Sequence, residues 1–262
     1  MLPLAGTLPP DSADSLAEAL KEGLGARDLP ALEVTVEGAW PALDLLRIDL
    51  TGAQLSRSQL SGAVGEARNP GFSAARFDLV ATPAVVVSAP VQLRLHAEGA
   101  VFDFATSGDG QVVALIRRVT RGEVTIEVTR ADIERLLLSL ASAAAGEHGV
   151  EIKSVNVAFT SRGPRAVSVT AEVTAKMFIA TASVTLSGDV DLDDQLNARL
   201  SNLGFDGTGM MANIAGGVIR PRLAKLEGQT FPLMSFAFGE ISLRDVSLEV
   251  GETLRLSAQF GA

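Results

Sequence analysis

One stretch, residues 129–188, constrains the fold more than any other part of the chain. It begins with a predicted helix from Thr129 to about Gly146, where Thr129 and Asp132 have the spacing of a capping box. Apolar residues recur there at helical spacing: Ile133, Leu136, Leu137, Leu140, Ala141 and Ala144. Three strands follow, with apolar side chains at every second position: Val155, Val157 and Phe159, then Val167, Val169, Ala171, Val173 and Ala175, then Phe178, Ala180, Ala182, Val184 and Leu186. A period of two gives each strand one dry face, so we predict that the helix lies on the dry face of an antiparallel sheet.

The rest of the chain repeats this alternation of helices and strands. A short helix is predicted over residues 11–25, a loop or frayed helix over 61–73, and strand after strand over 74–128. Residues 195–205 are ambiguous. A second amphipathic helix is predicted over 208–226, with Gly216, Gly217 and Pro221 thinning or kinking it; its apolar positions are Met210, Met211, Ile214, Val218, Ile219, Leu223 and Leu226. This order predicts an α+β fold in one domain, residues 1–262, with residues 1–10 as a flexible tail.

Composition excludes several classes of function. The net charge of −9 and the pI of about 4.8 argue against nucleic-acid binding and against simple electrostatic attachment to anionic membranes. There is no cysteine, and hence no disulfide or thiolate chemistry. Mean hydropathy is +0.28, yet no apolar run approaches the roughly 18 residues of a membrane span. The first ten residues lack the pattern of a signal peptide, so we expect a cytoplasmic protein, or one of the cell envelope or periplasm whose leader has been removed.

The candidate catalytic and metal-binding residues do not form a recognisable site. The two histidines, His96 and His148, have no local partners for a triad or a metal site, and no Gly-x-Ser-x-Gly elbow occurs. Residues 204–209 resemble a phosphate loop only loosely and are interpreted as a loop before the second helix. Residues 189–194 are interpreted as a solvated acidic loop, with weak calcium binding as the alternative, since the cluster Asp189, Asp191, Asp193 and Asp194 lacks the Gly and distant Glu of a calcium loop. We therefore predict no catalytic residues, no metal and no cofactor.

Several short strings, taken in order, resemble a known family. They are Leu-Asp-Leu-Leu-Arg-Ile-Asp-Leu-Thr-Gly (43–52), Ala-Arg-Phe-Asp-Leu (75–79), the run from Glu-Val-Thr-Ile-Glu to Arg-Leu-Leu (123–137), Phe-Pro-Leu (231–233) and the strand 239–250. The chain is similar over roughly residues 11–260 to the bacterial lipid-binding domain family that includes the mycobacterial mannan-elongation factor, itself related to the tubular lipid-binding (TULIP) superfamily. The resemblance implies a long, strongly twisted antiparallel sheet wrapped around amphipathic helices, an apolar tunnel for acyl chains and an exported protein. It carries no catalytic residues over.

The sequence therefore leaves two functions open. One is binding or transfer of a lipid or another long apolar ligand, with transient membrane contact and an unspecified oligomeric state. Its predicted lining is Leu136, Leu137, Leu140, Phe178, Met210, Met211, Ile214, Val218 and Met234. Methionine is unbranched and adapts to variable apolar ligands. The cations Arg220, Arg222 and Lys225 would meet the head group, or else form a solvated helix end. The other function is a structural or protein-interaction module of the same fold, in which these apolar residues are packed core.

Overall fold

The computed structural model describes residues 2–25, 33–55, 64–86, 89–108, 110–146, 150–177, 180–194, 197–208, 210–232 and 243–262. The helices are α1 Ala13–Gly25, α2 Arg130–Gly146 and α3 Met210–Leu226. The strands are β1 Leu2–Pro3, β2 Glu33–Ala39, β3 Ala42–Asp49, β4 Gln54–Leu55, β5 Val64–Val86, β6 Ala89–Ser107, β7 Val112–Arg118, β8 Arg121–Thr129, β9 Glu151–Gly163, β10 Ala166–Met177, β11 Ala180–Leu192, β12 Asn197–Gly207, β13 Thr230–Pro232, β14 Leu243–Val250 and β15 Thr253–Phe260.

The predicted α+β architecture, a twisted antiparallel sheet wrapped around amphipathic helices, is wrong. The structure is mostly sheet, and the residues that it describes include three helices. The larger sheet has ten strands, with a main path β14-β15-β8-β6-β5-β3-β2, and it is mixed because β5 pairs in parallel with β3 and β4. The smaller sheet is antiparallel, in the order β13-β12-β11-β10-β9. An apolar stripe predicts that a helix packs on something, but it does not specify that a sheet curls around the helix.

The chain divides into two compact units. Unit 1 comprises Met1–Glu127, Met234–Asp245 and Ser257–Ala262, and unit 2 comprises Val128–Leu233 and Val246–Leu256. Unit 1 has the densest core of the described residues, since every large side chain that is less than 2% exposed belongs to it. Its centre is aromatic: the rings of Phe72 and Phe102 stack with centroids 4.5 Å apart, and Phe77 meets Phe102 edge-on. Leu2–Pro3, within the predicted tail, pairs with β7 as strand β1.

Unit 2 contains the stretch that the sequence analysis singled out. The predicted helix and the three long strands after it are confirmed as α2, β9, β10 and β11, and the turn between β9 and β10 lies at Pro164-Arg165. The second predicted helix is confirmed as α3, with Pro221 inside it. Both helices pack on the five-stranded sheet, α2 against β9 and α3 against β12 and β11.

Three local predictions were wrong, all because strands tolerate residues that usually indicate loops. Most of the predicted loop at 61–73 is strand β5, whose pairing shifts register on either side of Pro70. The predicted acidic loop is largely the end of β11, which includes Asp189 and Asp191. The predicted phosphate-like loop is largely β12, which runs to Gly207 and also resolves the ambiguous stretch as a strand. The first part of the strand predicted at 239–250 lies outside the described residues, and residues 243–250 form β14.

Candidate functional site

The site begins with the cap of α2. The amide of Asp132 donates to Thr129 Oγ1 at 3.1 Å, and that hydroxyl donates to Asp132 Oδ2 at 2.6 Å, which confirms Thr129 as the cap of the helix. Glu134, one turn further along the helix, accepts a hydrogen bond at 2.8 Å from the amide of Val157 on β9. Because β9 is an edge strand of the five-stranded sheet, this carboxylate fixes the helix against the sheet edge.

The strand register assembles one continuous apolar face. Val157 on β9 lies opposite Ala171 on β10, which lies opposite Leu186 on β11, which lies opposite Phe205 on β12. The neighbouring rows have the same character, with Val155, Val173 and Val184 in one row and Ala175 and Ala182 in the next. Side chains at alternate positions share a face, so these rows form the dry side of the sheet that the period of two predicts.

The two helices cover the two ends of this apolar face, α2 at β9 and α3 at β12. Ile133, Leu137 and Leu138 of α2 pack against the cluster of Val155, Val157 and Ala171, whereas Gly216 of α3 approaches Phe205 closely. Helices centred over β9 and β12 are three strand spacings apart, about 14 Å. Helices in direct contact lie about 8–10 Å apart. On these spacings we expect a strip of roughly 4–6 Å between the two helices, about the width of one hydrocarbon chain, given carbon–carbon contacts of about 3.5–4.0 Å.

The apolar face between the helices is incompletely covered. Val173, Ala175, Ala182 and Leu186 are only half-buried, in contrast to the centre of unit 1. Leu140 follows Leu137 and Ile133 on one side of α2 at helical spacing, yet it is 53% exposed. Leu140 is therefore a position of the apolar stripe that is open to solvent, whereas its neighbour Ala141 is half-buried.

A groove opens between α3 and β12. It has a volume of about 390 Å³ and is lined by Leu203, Phe205, Arg220, Leu223, Ala224 and Glu227. A Cβ atom added at Gly216 would come within 3.0 Å of the Phe205 ring, so the absence of a side chain there lets α3 lie close to the strand. The guanidinium carbon of Arg220 lies 5.5 Å from the centroid of the same ring, within cation–π range.

Glu227 lines this groove but its carboxylate is engaged. One oxygen accepts the amide of Asn202 and the other the amide of Leu203, each at 2.9 Å. Arg220 has no carboxylate partner in the described residues, whereas the unit 2 arginines Arg162 and Arg165 both form ion pairs. The groove therefore offers one cation, one aromatic ring and aliphatic walls.

The opposite, polar face of the sheet carries a network of hydrogen bonds and ion pairs. Asp189 accepts hydrogen bonds from Ser168 Oγ at 2.6 Å and from Asn202 Nδ2 at 2.7 Å, and these bonds hold the pKa of its carboxyl below the ordinary value. Arg162 lies 3.4 Å from Asp189 and 2.9 Å from Asp191. No group of three or more side chains suited to hold a metal occurs in the described residues. The acidic residues of β11 are thus partners of Arg162 and of neighbouring polar side chains.

The predicted lipid-binding residues are distributed unevenly around this site. Leu137 packs on the sheet, Leu136 is half-buried and Leu140 is exposed. Met210, Met211, Ile214 and Val218 lie in α3, but their side chains are outside the described residues, as are Phe178 and Met234 entirely. Of the three predicted head-group residues, the structure places Arg220 in the groove, whereas Arg222 and Lys225 are exposed and outside its lining.

His96 is not part of this site. His96 lies in unit 1, where its Nδ1 is 2.6 Å from Asp78 Oδ1 and its Nε2 is 3.8 Å from Glu98. His148 lies outside the described residues. The side chain of His96 is 40% exposed on a strand of the large sheet, so its contacts are those of a surface ion-pair cluster.

Sequence reasoning missed Leu203, Phe205 and Glu227. The only signal for β12 was the spacing of Leu203 and Phe205, two apolar residues separated by one residue, among glycines that indicated a loop. Asn202 adopts a left-handed conformation with φ of 53°, near a register shift between β11 and β12, which interrupts the alternation that would have indicated a strand.

Comparison with family models, with curated proteins and with solved structures found no match to this chain. Among the described residues, none of the helices is long and apolar enough to cross a membrane.

Proposed function

We propose that this protein binds or transfers a lipid, or another ligand with a long apolar chain, without performing chemistry on it. The chain of the ligand lies over β10 and β11, between α2 and α3. The observation that carries the proposal is the half-open apolar face, where Leu140 is 53% exposed on the same side of α2 as the packed Leu137. Apolar surface left exposed beside a packed core is typical of a binding site.

The energy available on this face is sufficient for such a ligand. Each methylene buried contributes about 0.8 kcal/mol, so twelve methylenes contribute about 10 kcal/mol before the cost of ordering the ligand. Association costs about 4 kcal/mol or more in lost freedom, which leaves up to about 6 kcal/mol, or a Kd of tens of micromolar. The small floor residues Ala175 and Ala182 leave space for a chain to approach the sheet, and the half-buried Val173 and Leu186 give it apolar contacts.

The site differs from the enclosed tunnel that the family resemblance implied. The proposed site is the apolar face of the five-stranded sheet, bounded by a helix on either side. An open face allows the apolar chain of a ligand to enter sideways, and it accommodates ligands of different length because neither end need be closed.

Native mass spectrometry of the purified full chain, followed by organic extraction, tests the proposal. We expect a discrete extra mass above the 27.2 kDa chain that extracts as lipid, together with saturable uptake of a fluorescent fatty acid by the delipidated protein. A bare chain that also takes up no fluorescent fatty acid would overturn the proposal. That result would favour the packed protein-interaction module instead.

A further inference from the structure

The groove between α3 and β12 contains a positive charge, Arg220, that the binding of an apolar chain does not require. Arg220 projects into a groove otherwise walled by Leu203, Phe205, Leu223 and Ala224. Its guanidinium lies over the ring of Phe205, and no acidic side chain pairs with it in the part of the chain that the structure describes. An arginine stacked on an aromatic ring keeps the edges of its fork free to donate hydrogen bonds.

The other charge in the groove does not neutralise this arginine directly. Both oxygens of Glu227 accept backbone amides of β12 at 2.9 Å. The carboxylate is thereby oriented towards the strand, and the groove retains one cation with unused donors. A guanidinium beside an apolar wall favours a ligand that is itself anionic at one end and apolar beyond it.

We propose that this groove receives the anionic end, a carboxylate or a phosphate, of the amphiphile whose chain lies on the apolar face. The inference rests on the proposed function and specifies the class of ligand. Phe205 connects the two regions, because it lines the groove and also stands opposite Leu186 in the apolar row. The planar fork of Arg220 matches either anion with paired hydrogen bonds. The aliphatic walls contact the first carbons of the chain.

The matched control lies on the same helix. Arg222 is two residues further along α3, is exposed and lies outside the groove lining. Arg220→Gln and Arg222→Gln remove the same charge from the protein, so a difference between them reports the groove rather than net charge. Both positions are exposed to solvent, and we expect both variants to fold with the circular dichroism spectrum of the parent chain.

The experiment measures binding of dodecanoate, dodecyl phosphate and the uncharged methyl dodecanoate by displacement of a fluorescent probe. We expect Arg220→Gln to weaken both anions about tenfold or more, since hydrogen bonds to charged groups are worth about 1.5–3 kcal/mol, and to leave the methyl ester unchanged. Arg222→Gln should leave all three affinities within about twofold. Equal effects of the two variants, or equal loss of the ester, would overturn the inference.

Inorganic phosphate and acetate distinguish an amphiphile from a free anion. We expect neither to compete at concentrations where the long-chain anions saturate, because they lack the carbons that contact Leu203 and Leu223. Competition by inorganic phosphate that depends on Arg220 and matches dodecyl phosphate would overturn the amphiphile. If the methyl ester binds and the anions show no preference for Arg220, this inference fails while the proposed function stands. If none of the three long-chain probes binds, the proposed function fails.

Discussion

Replacing Ala182 by Phe distinguishes an open apolar face from a packed core. Ala182 lies on β11 opposite Ala175, between the two helices, and is half-buried. Ala171 lies on β10 on the same face but is only 9% exposed and packs against Val155 and Val157 beneath α2. The same substitution at the two alanines therefore adds the same ring, once on the open apolar face where the ligand is expected and once where the core is closed.

The two variants should differ in stability and in binding. Overpacking a filled core costs about 1–3 kcal/mol, which we expect for Ala171→Phe. At Ala182 the ring enters open space, and the change in unfolding free energy should stay within about 0.5 kcal/mol, as at a surface position. The ring should displace about four methylenes of a bound chain, or about 3 kcal/mol, which weakens fatty acid binding about 200-fold.

Urea unfolding followed by far-ultraviolet circular dichroism measures the stabilities, and fluorescent fatty acid titration measures the affinities. Trp40 is the only tryptophan and lies in unit 1, so its fluorescence is a poor reporter for unit 2. If Ala182→Phe destabilises the chain as much as Ala171→Phe, the apolar face is packed and the argument for an open binding face is refuted. A stable Ala182→Phe variant with unchanged affinity would place the ligand elsewhere.

Three further predictions test the elements that hold this face. Gly217→Ala should stabilise the chain by about 0.5–1 kcal/mol in urea unfolding, because open space surrounds Gly217 on α3. Gly216→Ala should stabilise the chain less or destabilise it, because the added Cβ would lie 3.0 Å from the Phe205 ring. Equal stabilisation by the two substitutions would contradict the close approach of Gly216 to Phe205. Thr129→Ala should cost about 1 kcal/mol in the same assay through loss of the α2 cap, whereas Thr129→Ser should be nearly neutral, and an equal loss in both would exclude the hydroxyl as the cause. Hydrogen bonds from Thr51 hold the pKa of the Asp49 carboxyl in the folded chain below 3.8. The stability that they supply is therefore present above that pH and is lost as the pH falls through the folded pKa. Asp49→Asn should flatten this part of the curve of urea midpoint against pH, and an unchanged curve would contradict the assignment.

The local structure of unit 2 could be predicted from the sequence because it depends on neighbouring residues. The cap at Thr129 and the alternation from Val155 to Leu186 specify a helix and three strands without reference to the rest of the chain. The global arrangement could not be predicted in this way. A period of two shows that a strand has a dry face, but it does not show which strands pair or whether the sheet encloses a helix. The parallel pairing of β3 with β5, for example, depends on contacts between distant segments.

The candidate site was predicted in part. Leu137 and Arg220 were identified from helical spacing and charge, but Arg222 and Lys225 carry the same signals and lie outside the groove. The distinction depends on which side of α3 meets β12, and that is decided by the close approach of Gly216 to Phe205. Phe205 belongs to a strand whose glycines indicated a loop, so nothing in the local pattern placed Phe205 next to Gly216.

The two glutamates that bind backbone amides have a consequence for how this protein associates. Glu134 occupies an amide of the edge strand β9, and Glu227 occupies two amides of β12 beyond the short strand β13. Unpaired amides at a sheet edge are templates on which a strand of another chain adds. At these points a carboxylate of the chain itself already holds the position that an incoming carbonyl would take. At these three amides, a strand of another chain would have to displace a carboxylate before it could pair with the small sheet.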